Sequence, residues 1–410
     1  MASALALAAL AAPSRARAAD WPIVQGTEVG QPKDQPLRPF GFVQVVEDTM
    51  LGGYAHGLSK ANAAFDGQRP TFNALDAGGS WGFAVRRARP GLRGAIPGTD
   101  QKVAYFVLAE LGAAPIARDG PVITDASVTL SYIPGARVRV GQFKLPVADE
   151  AVEANPIAME WINYAQPISQ LVLENYVVNG KYDGGAAGYR DVGAEVFDTF
   201  QFGKVALSYA AMLSNGHVRR IDDDASKDVT ARTTFSWVFS GAPSDPHRQE
   251  LSVFAWGQRG ERLLDTGNAQ RIRSGSGVHL ELEPVRVRAE VVYAAGALVN
   301  GPNPPFAGQP IAVSPHGRAV GAYLSARVRL FGHLLTGVRY DELHRDLDDQ
   351  KALRIFRSVT PMVEYEINPR IKLMANYEAR WLLAPHGTPD AKNLADTMGD
   401  RVLAQVTAIF

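Results

Sequence analysis

Short and long gaps take turns between the strand-like segments of this chain, and few architectures accept that rhythm. Segments whose side chains alternate at period two begin near residues 40, 80, 101, 122, 136, 189, 202, 229, 248, 277, 285, 319, 333, 354, 370 and 400. Tight connections fall at Pro134-Gly135, around Gly203, at Glu283-Pro284, at Phe331-Gly332-His333 and at Asn368-Pro369. Long ones fall at 49–79, 145–188, 213–228, 259–274, 297–317, 344–353 and 383–399. A sandwich has no reason to collect its long loops at one end. A closed up-and-down barrel does so by construction, with an even number of strands. The expected fold is therefore all-β: a transmembrane antiparallel up-and-down barrel of 16 strands, occupying residues 40–410.

The alternation also says what each face meets. In Arg370–Leu382, Ile371, Leu373, Ala375, Tyr377, Ala379 and Trp381 oppose Lys372, Met374, Asn376, Glu378 and Arg380. Arg137/Arg139, Arg286/Arg288 and Arg327/Arg329 are each spaced i, i+2, so each pair projects to one face. Their neighbours Val138, Val140, Val287 and Val328 project to the other. An arginine facing lipid at mid-bilayer costs about 2–4 kcal/mol, which sends these side chains to the lumen. Arg339, Lys372 and Arg380 are expected to join them as pore-lining residues, with Arg354 and Arg401. Glu110, Asp125, Glu195, Glu281, Glu283, Glu290, Asp341, Glu364 and Glu378 share those faces, so structural pairing is the alternative to anion selection. Tyr105, Tyr132, Tyr209, Trp237, Phe239, Tyr293, Tyr340, Tyr365 and Trp381 are expected on outward faces, where aromatic belts form.

Ala2 to Pro13 is a long apolar run, too short to span a bilayer as a helix and followed by Ala16-Arg17-Ala18. Residues 1–18 read as a secretory signal peptide and 19–39 as an N-terminal periplasmic segment. The charge balance, 42 basic against 42 acidic residues, gives no reason to expect nucleic acid as a partner. With no cysteine, thiolate chemistry and zinc–cysteine sites are excluded. The final strand, Asp400 to Phe410, carries Val402, Ala404, Val406, Ala408 and Phe410 on one face and ends on an aromatic residue. It is expected to close the barrel against the first strand.

That closing strand resembles those of bacterial outer-membrane porins. Val140-Gly141-Gln142-Phe143-Lys144-Leu145-Pro146, with Glu150 following, is similar to a segment common in the phosphate-selective porin O/P family. The motif residues are Gly141, Gln142, Phe143, Lys144, Pro146 and Glu150. The likeness covers roughly residues 136–216, extending through Asp191-Val192-Gly193-Ala194-Glu195 and Ser214-Asn215-Gly216. It departs after Pro146, where Val147 and Ala148 stand in place of an aromatic. It does not carry over the family's pore cations residue by residue. The resemblance implies an outer-membrane channel, homotrimeric, that admits small anionic solutes such as phosphate and contacts outer-membrane lipid and lipopolysaccharide.

The 145–188 connection is the candidate constriction loop; it holds Trp161, Tyr164, Tyr176, Lys181, Glu150, Glu153 and Glu174. Folded inward it narrows the pore; folded outward it latches a neighbouring protomer. Both remain open at this point. No cofactor and no metal are expected, because the eight histidines show no paired ligand spacing. Gly275-Ser276-Gly277 reads as a loop end, and Asp222-Asp223-Asp224 as a solvated run bridging lipopolysaccharide cations. Three functions compete: a diffusion channel, a structural barrel housing a partner protein, and an outer-membrane hydrolase. The hydrolase would need a Ser–His pair on the lipid-facing rim, and Ser252 and His279 are not obviously adjacent in the sequence.

Overall fold

A computed structural model of the protein describes residues 36–71, 81–117, 120–153, 159–178, 180–218, 225–241, 248–300, 306 and 311–410. The expected signal peptide, most of the N-terminal segment and Asp222–Asp224 lie outside the described residues.

The first five strands are β1 (Arg38–Met50), β2 (Trp81–Ala95), β3 (Val103–Glu110), β4 (Val122–Leu130) and β5 (Arg137–Lys144). An insertion follows, holding helix α1 (Asp149–Val152), a π-helical turn (Ile168–Val172) and a separate hairpin, β6 (Glu174–Val178) with β7 (Lys181–Gly188). The wall resumes with β8 (Arg190–Phe202), β9 (Val205–Ser214), β10 (Asp228–Ser240), β11 (Gln249–Leu264) and β12 (Gly267–Leu282). It continues through β13 (Val285–Asn300), β14 (Ala312–Phe331), β15 (Leu334–Arg345), β16 (Arg354–Asn368) and β17 (Ile371–Leu383). Helix α2 (Pro389–Thr397) occupies the last connection before β18 (Arg401–Ile409).

Sixteen of these strands form one closed antiparallel barrel. Each pairs with its neighbour in sequence, except that β5 meets β8 across the insertion and β18 returns to β1. At the seam Val45 lies opposite Val406, and Gly41 and Phe410 exchange two backbone hydrogen bonds of 2.9 Å. A closed ladder satisfies every mid-strand N–H and C=O without water, the condition for crossing lipid with strands.

Burial follows the period-two pattern. Outward Val140, Val253, Val291, Leu324 and Val363 are about half exposed, whereas inward Arg139, Glu290, Asp341 and Arg401 are almost fully buried. The aromatic residues at 132, 237, 239, 293, 340, 365 and 381 are exposed on the outer face as expected. Tyr105 and Tyr209 are half-buried. The Tyr209 hydroxyl donates to Gly135 O at 2.7 Å, and its ring stacks on Phe200.

Strand starts fall within three residues of the expected positions except at β12 and β14. The expected long loops 259–274 and 297–317 are largely strand. Residues up to Leu264 extend β11, β12 begins at Gly267, and β13 and β14 leave only 301–311 between them. At about 3.3 Å per residue, β3 and β5 with 8 residues each just cross a bilayer core, while β11–β13 with 16 and β14 with 20 rise well above it. Above the lipid the outer face no longer needs apolar residues: Arg259, Asn268 and Gln270 point outward there. The apolar alternation fades where the strands do not.

Gly275 and Gly277, expected in a loop end, lie inside β12 opposite Trp256 and Phe254. A Cβ on either glycine would come within 2.5 Å of those rings. The absent side chains make room for the aromatic faces.

Arginine placed on the outer face should sort mid-membrane positions from the tall hairpin. Leu324→Arg is expected to destabilise the barrel by about 2–4 kcal/mol, and Leu263→Arg by less than about 1 kcal/mol. Urea unfolding in lipid vesicles, followed by the gel shift of the folded barrel, measures both.

Candidate functional site

The connection after β5 enters the barrel, and its first residues explain how. Gly141 has φ +129, and a Cβ there would sit 2.1 Å from Ala126 O, so neither the dihedral nor the space admits a side chain. Gln142 donates to Ile123 O at 2.9 Å and Thr124 O at 2.8 Å, bracing β5 against β4. Phe143 is buried in the loop's apolar cluster, and Lys144 Nζ donates to Val152 O at 3.0 Å, holding the carbonyl end of α1. The motif residues are thus the hinge and brace of the inward loop.

From that hinge, residues 145–153 and 159–173 lie against inward side chains of β2, β10, β12–β15 and β17. Loop carboxylates meet wall cations. Asp149 accepts from Arg232 at 2.8 Å, and Glu150 from Arg339 at 3.2 Å. Glu153 pairs closely with Arg288. Glu160 sits among three guanidiniums, 2.9 Å from Arg286 and 3.7 Å from both Arg288 and Arg327. Where the loop turns upward, Glu174 accepts from Arg271 at 2.5 Å and Arg262 at 3.0 Å.

Loop carbonyls are gripped in the same way. Arg232 holds Val147 O at 2.6 Å, Lys372 holds Met159 O at 3.2 Å, and Arg339 holds Asn163 O at 2.9 Å. Arg273 donates to Leu171 O at 2.7 Å. Buried charge is tolerated because each of these cations has a partner with good geometry.

The loop also has an apolar underside. Leu145, Val147, Ala148, Ala151, Ile168 and Leu171 pack with inward-facing Phe254, Trp256, Val292, Tyr323, Leu343 and Phe356. On β13 and β14 the lumen wall turns from charged to apolar above Glu290, with Val292 opposite Gly321 and Ala294 opposite Ala319. The signal in the sequence is apolar residues on both faces, as at Val291-Val292 and Ala294-Ala295. Hairpin β6–β7 then rises against its own barrel. Gly180 O accepts from Asp265 N at 2.8 Å, Tyr182 packs on Leu264 and Ala269, and Lys181 faces Asp265 at 3.5 Å.

The expected pore-lining residues therefore divide. Arg286, Arg288, Arg327, Arg339 and Lys372 converge on the loop. Arg137 pairs with Asp198 at 2.9 Å, and Arg139 lies 3.8 Å from Glu195 with its guanidinium over Phe197. Arg329 reaches Glu366 at 2.8 Å beside a short turn, and Arg380 donates to Gly399 O at 2.7 Å. These four are inward and pair with groups outside the loop. Arg232, Arg262, Arg271 and Arg273 do touch it and were not anticipated. Arg271/Arg273 have the same i, i+2 spacing as the anticipated pairs, concealed inside the expected loop 259–274.

Asp149, Glu153 and His279 bring possible ligand atoms within 4.8 Å of one another. The group does not suit a metal ion, because Arg288 already lies against both carboxylates and Arg232 against Asp149. Ser252 and His279 prove to be direct cross-strand partners, although they are distant in sequence. They face the lumen and not the lipid rim. Ser252 Oγ bonds Ser236 Oγ at 2.7 Å, and both His279 nitrogens face carboxylates: Glu281 at 2.8 Å, Asp149 at 3.5 Å and Glu153 at 3.9 Å. A histidine so occupied has no free nitrogen to take a serine proton.

No protein-family model matches the sequence, and no curated protein sequence matches it. Solved structures do match. An anion-selective porin from Comamonas acidovorans aligns over 91% of this chain and 99% of its own, with TM-score 0.56 and 11% identity. Salmonella typhi OmpF in complex with daunomycin aligns over 91% and 97%, with TM-score 0.56 and 12% identity. The outer-membrane channel DcaP of Acinetobacter baumannii gives 91% and 97%, TM-score 0.53 and 13% identity. The fold is that of bacterial outer-membrane porins, and the apolar outer belt suits such a membrane.

Two outcomes test the loop's anchorage. Glu160→Gln should weaken the grip of three guanidiniums at once, a loss on the order of 3 kcal/mol for a broken buried pair. Amide exchange across 159–166 should accelerate by tenfold or more, read by mass spectrometry. Burial pushes the Glu150 carboxyl up to about 7 against the pull of Arg339. The folded state therefore holds this proton more tightly than the unfolded chain. The Glu150 contribution to stability is full below about 4.5 and is lost as pH rises through about 7. Glu150→Gln should flatten the pH dependence of unfolding across that window relative to wild type.

Proposed function

We propose that the protein is an outer-membrane porin forming a diffusion channel for small hydrophilic solutes, with a preference for anions such as phosphate. The observation that carries this reading is the lumen itself: a closed sixteen-stranded wall whose inner face bears rows of guanidiniums, with one long loop folded among them. Inward cations favour anions wherever they outweigh nearby carboxylates. The inward loop, residues 145–153 and 159–173, is the element that narrows the lumen and sets the size limit. The motif at Gly141–Pro146 supports the phosphate-selective subtype, and the Comamonas porin shows that this fold serves anion selectivity elsewhere.

A homotrimer fits the uneven wall. The low side, β3–β5, exposes Ile123, Val128, Leu130 and Val140 on strands of 8 or 9 residues, a face suited to burial against other copies. A structural barrel that houses or docks a partner protein is the second reading; its docking form is favoured by the dense filling of the lumen on the β10–β15 side, which leaves less room for solute. A hydrolase is disfavoured by the occupied His279.

The test is the single-channel reversal potential of the purified protein in a planar bilayer under a KCl gradient. An anion-selective potential that moves toward cation selectivity in Arg286→Ala/Arg288→Ala supports the channel. The double substitution would leave Glu153, Glu160 and Glu281 without their main counter-charges. Cation selectivity in the wild type would sink the anion preference, and absence of conductance would favour the partner-housing barrel.

A further inference from the structure

Buried ion pairs fix the inward loop, but a second element at the mouth is fastened differently. Residues 51–69, which follow β1, form a compact body closed on itself. Arg69 Nη1 donates to Met50 O at 2.7 Å, Gly67 N to Ala55 O at 2.7 Å, and Ala55 N to Gln68 O at 2.9 Å. Leu58 N donates to Asp66 Oδ1 at 3.1 Å. A loop whose ends meet in this manner holds its own shape. Its root is pinned to the wall. Leu51 N donates to Asp400 O at 2.8 Å, and Gly52 lies so near Gly399 that a Cβ would come within 2.8 Å of its nitrogen.

The tip rests on α2, where Ala395 and the following Met398 pack against the apolar cluster inside the barrel that contains Phe356 and Leu382. The Asp390 carboxylate, in the first turn of α2, accepts from Ser59 N at 2.9 Å, Ser59 Oγ at 2.6 Å and Asn62 Nδ2 at 2.6 Å. Asn393 Nδ2 donates to His56 O at 2.6 Å. Past α2, Phe65 stacks on the buried Phe306 of the β13–β14 connection, with ring centroids 5.5 Å apart and planes 4° from parallel. Four strands, β15 to β18, stand between β14 and β1 in the wall, so this contact bridges an arc of the mouth.

The fastening is light. Of residues 51–69 only Ala55 is buried, and Ser59, which makes two of the bonds to Asp390, is exposed. Hydrogen bonds open to water contribute little net stability, and segments with few buried apolar contacts are the first to open. We propose that residues 51–69 are a hinged flap over the outer mouth, latched by Asp390 and clasped by Phe65 on Phe306, whose opening admits solute to the inward loop. The inference rests on the channel reading and adds a moving barrier to the fixed one. The flap turns as a unit about its pinned root, because its internal bonds survive when those to α2 and Phe306 break.

The chain has no cysteine, so introduced thiols are unique. Spin labels at Lys60→Cys on the flap and Lys351→Cys on the exposed β15–β16 connection report opening as a distance in the detergent-purified barrel. The labelled protein should show two distances. Asp390→Ala and Phe306→Ala should each raise the longer one relative to the shorter by about fivefold, the factor for loss of one ordinary contact. If one variant does not fold, the other decides. A single distance, unchanged by the substitutions, would overturn the flap. Ser59→Cys/Asp390→Cys replaces the latch by a disulfide and should lower single-channel conductance about twofold or more, with recovery on reduction. Equal conductance in the oxidised and reduced forms would overturn the gating role. Two label distances with no conductance in any form would overturn the channel reading and leave the hinged flap standing.

Discussion

The structure depends on one constraint: a guanidinium inside a barrel must find a partner or remain in water. This chain turns many arginines inward, because the outer face belongs to lipid, and supplies partners for them from wall acids and from one loop. Asp149, Glu150, Glu153, Glu160 and Glu174 each meet a cation of the far wall, and loop carbonyls occupy further donors. Buried pairing of this kind contributes modestly to stability, because desolvation offsets attraction, but it specifies position strongly. The loop is held at a defined place in the lumen because moving it would strand charge on both sides.

The hinge belongs to the same argument. A loop that must leave a strand, turn inward and present acids to the opposite wall needs a sharp departure, and Gly141 and Lys144 provide it. The family-like motif is legible as chemistry once the loop is in place. Its residues brace backbone, fill the apolar cluster and hold the end of α1. Among them Glu150 pairs with Arg339 of the wall, and the Phe143 ring lies under the Arg139 guanidinium.

Much of the barrel was legible in the sequence, since lipid imposes period-two patterning and the short turns carry their own residues. The parts that were not legible share a physical cause. Above the membrane the outer face is polar, so the upper parts of β11–β14 looked like loops. Where the inward loop packs, the lumen wall is apolar on both faces, and no alternation marks it. The i, i+2 arginine rule found Arg286/Arg288 but missed Arg86 and Arg87, because a bulge breaks the period that the rule assumes. Ser252 and His279 illustrate the general limit: their adjacency is a matter of register, which pattern alone does not supply.

The loop's anchorage also orders events in time. Its acids and carbonyls lie in the first half of the chain, and their partners come later, as far along as Lys372, 213 residues after Met159. No grip can form until the strands bearing Arg232 through Lys372 are present. Contacts of such long range form late in folding. The wall must therefore assemble around the loop or admit it afterward. Until then an unfinished barrel would present a row of uncompensated guanidiniums. Such a species has the net charge of the finished protein, but its loop acids and wall guanidiniums stand unpaired in water, so the last contacts to form are the ones that exclude it.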